Sequence, residues 1–305
     1  MPAALWGNAR TYTEPKRLPE NGSEVDWRKL VSVYDDHFRT GRWIFRGEVE
    51  ARADGGLRPS LQRLVERYGL NEDEGRLERN LIRSFQRRAH NYLPIVPHLD
   101  DMLEWMALMR HYSAPTRLLD WTYSFFVAVY FACENVKVEE KKPCVVHALS
   151  TTKFLRPAKS SLAKVLSLRP EDIDNDDHVI LQADGSSQSW EMFRRAMMRK
   201  PGERIPLVYP VNPFRLNDRL VIQQGVFTCP GDVSKSFREN LDAMDVDRYE
   251  VWIAGEKVPE CLQQLHRMNM DRASLFPGLD GFAWSLNTRL AFPETLSEDR
   301  TPWPS

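Results

Sequence analysis

Apolar residues along the chain follow two rhythms, one helical and one extended, and the elements can be read from where each begins and ends. Trp27, Leu30, Val31, Tyr34 and Phe38 keep helical spacing until Gly41 stops the run, and Ser23 followed by Asp26 resembles a capping-box start. Trp43, Ile44 and Phe45 then form a short apolar strand. A charged helix is expected over about 72–92, with Leu77, Leu81, Phe85 and Ala89 on one face and an arginine- and glutamate-rich face toward water. Met102, Met106 and Met109 continue the helical period up to "RHYSAPTRLLDWT", where Pro115 interrupts it and 116–119 read as a brief strand or extended turn. "SFFVAVYFAC" reads as a buried helix capped by Ser124. The runs at 144–149, 205–211, 225–229 and 249–254 read as strands. Near the end, 259–270 reads as a helix pointing Leu262, Leu265 and Met268 inward. In "DRASLFPGLDGFAW", Asp271 and Ser274 cap or turn, Phe276 plugs the core, and Pro277 with Gly278 breaks the chain.

These strands are too scattered among the helices for a doubly wound sheet, so the fold class is α+β. The expected organisation is a loosely ordered lead-in over 1–22, one domain over 23–292 and a tail over 293–305. Within the domain, 151–200 turns polar and acidic, with "EDIDNDDH" as its extreme, and reads as an insertion or lid.

Charge and composition narrow the chemistry. Forty-two Lys and Arg against 43 Asp and Glu leave a net charge of -1, so no global basic field indicates nucleic acid or an anionic membrane. Cys133, Cys144, Cys229 and Cys261 have neither metal-motif nor disulfide-framework spacing and read as reduced thiols of a cytoplasmic protein. No apolar run approaches a membrane span. Glycine-rich phosphate loops, "HExxH" and "GxSxG" are absent, and the seven histidines show no paired ligand spacing, so no metal is expected.

What remains is "WIFRGE". Arg46 follows three residues that leave water readily, and arginine is almost never buried without an anion. Either a buried carboxylate such as Asp120 waits for it, or a ligand does.

Four ordered stretches carry a resemblance: "FRG", "HYSAPTRLLDWT" followed by "AVYFA", "RLVIQQGVFTC" and "RASLFPGLDGFA". Together they resemble the FRG domain family of bacterial and phage proteins, over about residues 24–290. More distantly, the first three resemble the motifs of Arg-Ser-Glu-type ADP-ribosyltransferases. That likeness implies a single ADP-ribosyltransferase-like domain with a mixed or antiparallel sheet core and flanking helices. It also implies NAD as co-substrate and a macromolecular acceptor, which the sequence does not identify.

On that likeness Arg46 would hold the pyrophosphate or ribose of NAD, and Gly47 would approach the nicotinamide closely. Thr116 stands where a hydroxyl supports the cleft. Asp120 would hold Arg46 or a ribose hydroxyl, Trp121 would supply a stacking wall or be buried in the core, the more frequent use of an indole, and His111 would bond a ribose or serve as a core or capping residue. Arg117 points to the opposite face of its segment from Thr116, and with Gln223 completes the expected cofactor-binding set. The third motif offers Gln223 and Gln224 where the transferases carry glutamate. Gln224 would orient the reactants, and the missing charge would come from Glu48, Asp120 or Asp218, with Asp120 favoured as the catalytic carboxylate because it lies inside a motif. If no carboxylate is well placed, the domain would instead be a non-catalytic nucleotide- or partner-recognition module, of the kind suited to bacterial conflict or phage defence.

Overall fold

The computed structural model describes residues 15–291, apart from 52–55, 71, 138–139, 216, 245 and most positions between 153 and 186. Its strands are β1 (Lys16–Leu18), β2 (Trp43–Glu48), β3 (Leu119–Thr122), β4 (Cys144–Ser150), β5 (Leu181–Gln182), β6 (Val208–Asn212), β7 (Gly225–Pro230) and β8 (Arg248–Ile253). They form one eight-stranded sheet in the order β1-β8-β4-β2-β3-β7-β6-β5. The six inner strands pair antiparallel, and β1 on β8 and β5 on β6 make parallel edges. The fold is α+β with a mixed sheet.

A seam divides this sheet. β2 pairs with β4 over six residues and β3 with β7 over four, but β2 and β3 meet only at Phe45 and Thr122. Two cores pack on the sheet, and β2 contributes to both. Phe45, Val146 and Val251 pack with α1 (Trp27–Val33), α5 (Phe125–Cys133) and α9 (Val258–Arg267). Ile44, Trp121, Tyr209 and Phe227 pack with α3 (Glu74–Ala89), α4 (Met102–His111) and α6 (Ser187–Met197). Alternation along β2 sends Ile44 to one core and Phe45 to the other, as a period of two requires.

Several local expectations need correction. Asp26, not Ser23, caps α1 by accepting from the Lys29 amide, and Ser23 bonds Asn21 instead. Of the two readings of 116–119, strand holds only from Leu119, where β3 begins, and 116–118 form no regular element. On α3, Phe85 and Ala89 do face the core, but Gly75, Glu78 and Ile82 complete the inward face and Leu81 is exposed. In α9, Val258, Cys261 and Leu265 are buried while Met268 lies past its end and is exposed. Leu262 packs partly buried on the same core as Leu265, as expected, and only Met268 falls outside, because three-residue spacing lags about 60° per step against a 3.6-residue turn. Phe276 packs against the core beside Phe131 as expected, but it is only half-buried and also carries the Arg219 and Arg272 guanidinium groups on its ring.

The lead-in is not wholly loose: β1 joins the sheet, whereas 1–14 lie outside the described residues. So do 293–305. Within 151–200 most positions lie outside them too, the acidic run 171–178 included, while α6 buries Phe193, Ala196 and Met197 in the core. Ser124 caps α5 as expected, accepting from the Val127 amide. All four cysteines are free and buried. Among the described residues no helix is long and apolar enough to cross a membrane.

Gly47 has a structural cause different from the one expected. A Cβ there would lie 2.1 Å from the Ala128 carbonyl oxygen and 2.4 Å from the Ala132 amide nitrogen, both backbone atoms of α5. The missing side chain lets a helix, rather than a ligand, press on the strand. Gly47→Ala is expected to destabilise the fold by about 3 kcal/mol, the upper end for overpacking against atoms that cannot swing away. Urea unfolding measures this, and a loss under about 1 kcal/mol would show that α5 can shift.

Candidate functional site

Where β2 and β3 part, the ladder hydrogen bonds stop and side chains take over. Arg46 Nη1 donates to the Asp120 backbone oxygen at 2.7 Å, bridging the seam, while its Nε donates to Glu48 Oε1 at 2.7 Å. Asp120 in turn is clamped by Arg110 from the last turn of α4, whose Nε and Nη2 both donate to Oδ2, the former at 2.8 Å. Arg46 reaches the same oxygen at 3.9 Å. Burial alone would raise the Asp120 carboxyl, but Arg110 first, then Arg46 and Arg219, hold it below the ordinary carboxylate range.

These groups line a cleft of about 250 Å³. Phe131, Glu134 and Asn135 close it from the end of α5, and Arg219 and Gln223 from α7 (Asp218–Ile222). Glu134 Oε1 accepts from the Tyr130 hydroxyl at 2.8 Å and from Arg272 Nη1 at 2.6 Å, which fixes that oxygen and leaves Oε2 without a hydrogen bond among the described residues. Arg272 leads α10 (Arg272–Leu275) and stacks on Phe276 at 3.6 Å. Arg219 lies over the same ring at 4.5 Å.

Arg219 differs from its neighbours. It is half-buried, its one polar contact is Nε to Gln223 Oε1 at 3.4 Å, and no carboxylate lies within ion-pair distance among the described residues. Burial, with Arg110 and Arg272 nearby, lowers its pKa despite the Asp120 charge. Arg63 on α2 (Ser60–Tyr68) is a second cation without a carboxylate partner among the described residues. Burial, then Arg46 and Arg110, lower its pKa. Both are cations whose surroundings under-compensate them.

Of the residues expected at one site, Arg46, Gly47, Asp120, Trp121 and Gln223 do line this cleft. The Trp121 indole is nevertheless buried and donates to Thr228 Oγ1 at 2.8 Å, so its ring serves the sheet rather than a stacking wall. Gln223 is committed as well: its side-chain amide donates to the Leu275 oxygen and its backbone oxygen accepts from Thr122 Oγ1. Gln224, with φ of 49°, turns out of the cleft and is exposed, because it makes the turn between α7 and β7. His111 is exposed and does not line the cleft, and partial burial and then Arg219 lower its pKa.

Thr116 and Arg117 do not reach the cleft. Thr116 is buried against α2, its backbone bonded to Ser60 and Leu61. Arg117 is buried in an ion pair with Glu78, its Nε 2.6 Å from Oε2, and also donates to the Met197 oxygen. It joins α3 to the sheet and is structural. Arg110, Arg219, Arg272 and Glu134 are the residues that sequence reasoning passed over. The signal was present, since the second, third and fourth motifs each open on or beside an arginine.

Removing one partner of a buried ion pair strands the other, so Arg117→Met is expected to cost about 3–5 kcal/mol of stability. Urea unfolding tests it. Glu74, beside this pair, has its carboxyl pushed up to about 7 by burial first and then by Glu66 and Glu78. A raised folded-state pKa gives stability that is full below the unfolded value, about 4.3, and is lost as pH rises through 7. Glu74→Gln is therefore expected to stabilise at pH 8.5 and to give no gain at pH 4, read from unfolding midpoints at the two pH values.

Residues 41–141, running from the strand that bears Arg46 past Glu134, match the family model of the FRG domain. No curated protein and no solved structure matches the chain. The family that residues 41–141 are similar to is thus the FRG domain, and that stretch supplies Arg46, Arg110, Asp120 and Glu134 to the cleft.

Proposed function

We propose that the protein binds NAD in this cleft and is an ADP-ribosyltransferase that passes ADP-ribose to a macromolecular acceptor. The observation that carries the reading is Arg219, a half-buried guanidinium lining the cleft without a carboxylate partner among the described residues. A guanidinium so placed suits a pyrophosphate, which accepts forked hydrogen bonds from arginine. Arg46, at the parting of β2 and β3, stands where the resemblance to the transferases asks for a ligand-holding arginine.

In the transfer, the bond from the ribose anomeric carbon to the nicotinamide nitrogen breaks and its electron pair leaves with nicotinamide. An acceptor nucleophile then bonds to that carbon and gives its proton to solvent. The chain's contribution is negative charge beside the developing ribosyl cation. Glu134 is better suited to this than Asp120. Among the described residues each carboxylate has one oxygen anchored and the other without a hydrogen bond, but two arginines, Arg110 and Arg46, draw on Asp120, whereas Arg272 alone pairs with Glu134.

A second reading, a nucleotide-recognition module without transfer, is favoured by one observation. Gln223 is used up by structural bonds and Gln224 faces away, so neither glutamine stands in for a catalytic carboxylate in the cleft.

Calorimetric titration of NAD tests binding. Arg219→Ala is expected to weaken it roughly 10- to 100-fold, the worth of hydrogen bonds to a charged group, with an unchanged melting temperature. Single-turnover nicotinamide release tests transfer. Glu134→Gln is expected to slow it by about 10² or more, and Asp120→Asn by less. NAD binding without release from the unmutated protein, even with cell lysate as acceptor, would favour the recognition module. No NAD binding at all would remove both readings that place NAD here.

A further inference from the structure

The solvent face of α3 carries charge of one sign. At about 100° per residue, Arg76, Arg79, Asn80, Arg83 and Arg87 fall within about 100° of one another around the helix, and all five are exposed. No carboxylate of α3 shares this face. Glu78 is buried in its pair with Arg117, and Glu74 is half-buried, with its carboxyl pushed up to about 7. Among the described residues the stripe makes one ion-pair contact, Arg79 to Asp73 at 3.9 Å, and Arg204 holds Asp73 more closely.

Like charges three and four residues apart on a helix repel one another. The helix dipole favours Arg87 and Arg88 in the last turn but opposes Arg76 in the first. In a chain of net charge -1, such a local excess stays unfavourable until anions come to it.

The chemistry of the face says which anions. Arg76 to Arg87 spans about 16 Å of helix axis in steps of about 4.5 to 6 Å, a row suited to a polyanion with regularly spaced charges. Duplex DNA offers one phosphate per roughly 3.4 Å of axis on each strand. Other anionic surfaces call on groups that these five residues lack. A helix on a membrane inserts apolar side chains, a protein partner is held by buried anchors, and single strands stack their bases on aromatic rings. Guanidinium groups and the Asn80 amide are instead donors to phosphate oxygens. The major groove of B-form DNA, about 12 Å wide, admits a helix, whereas that of A-form RNA is too narrow.

We infer that this face of α3 binds duplex DNA without sequence preference, its four arginines on the phosphates that flank the major groove. The inference does not rest on what the charged cleft binds.

Fluorescence anisotropy with the full chain and a labelled DNA duplex of arbitrary sequence tests it. Four phosphate contacts give a slope of log Kd against log salt of about 3 to 4, so affinity is expected to fall about 10²-fold between about 50 and 200 mM salt. Arg83→Gln with Arg87→Gln is expected to lower that slope by about 2 and to weaken binding at least about tenfold at the lower salt. Arg28→Gln with Lys29→Gln removes the same charge from exposed positions of α1, which packs on the other core, and should change neither. All four side chains are exposed, so both double variants should keep the wild-type melting temperature. Poly-glutamate, phosphatidylserine vesicles, single-stranded DNA and duplex RNA serve as competitors, each expected to be at least about tenfold weaker than unlabelled duplex DNA. No DNA binding at the lower salt, a slope below about 1, equal losses in the two double variants, or a competitor as strong as duplex DNA would overturn the inference.

Discussion

One side-chain hydrogen bond bridges the place where the two halves of the sheet part. Between β2 and β3 the backbone ladder has a single point of contact, and past it the Arg46 guanidinium reaches across to the Asp120 carbonyl. A side chain thus does what backbone amides do elsewhere in the sheet. The consequence is a gap rather than a closed surface, because a guanidinium spans more distance than a ladder bond and brings charge with it. Burying that charge costs several kcal/mol unless it is paired, and Glu48 and the Asp120–Arg110 clamp supply the pairing. The cleft is therefore charged because the sheet is split.

Electrostatics then sets what the gap admits. Three arginines and three carboxylates line it, while Arg63 and Arg272 stand close behind. Each carboxylate gives an oxygen to an arginine, and the surplus is positive. With low-polarity walls such as Phe131 and Phe276 nearby, that surplus is screened less than it would be in open water. An anion entering the cleft finds Arg219 unclaimed. Gly47 contributes by letting α5 close against β2, which brings Glu134 to the far wall.

Much of this architecture could be read in the sequence, for physical reasons. β2, β4, β7 and the buried α5 announce themselves through apolar runs, and Ser124 caps its helix as its residue type prefers. Arg46 was legible because a charge after "WIF" is locally unreasonable. Arg117 misled because it looks alike in sequence: nothing short of the fold shows that Glu78, thirty-nine residues earlier, waits for it. Gln224 misled because a turn, set by its positive φ, decides which of two adjacent glutamines faces the cleft. Glu134 and Arg272 lie 138 residues apart and meet only through the packing of α5 on the C-terminal helices, a long-range contact that periodicity cannot reveal.

The central claim is that the split sheet makes an anion-binding cleft with Arg219 as its open cation. A crystal structure of the full chain soaked with ADP-ribose tests it most directly. The account predicts a phosphate oxygen within hydrogen-bond distance of the Arg219 guanidinium, roughly 2.7–3.0 Å, with Arg46 still bonded to the Asp120 carbonyl. ADP-ribose ordered elsewhere on the surface, with the cleft empty and Arg219 unmoved, would contradict it.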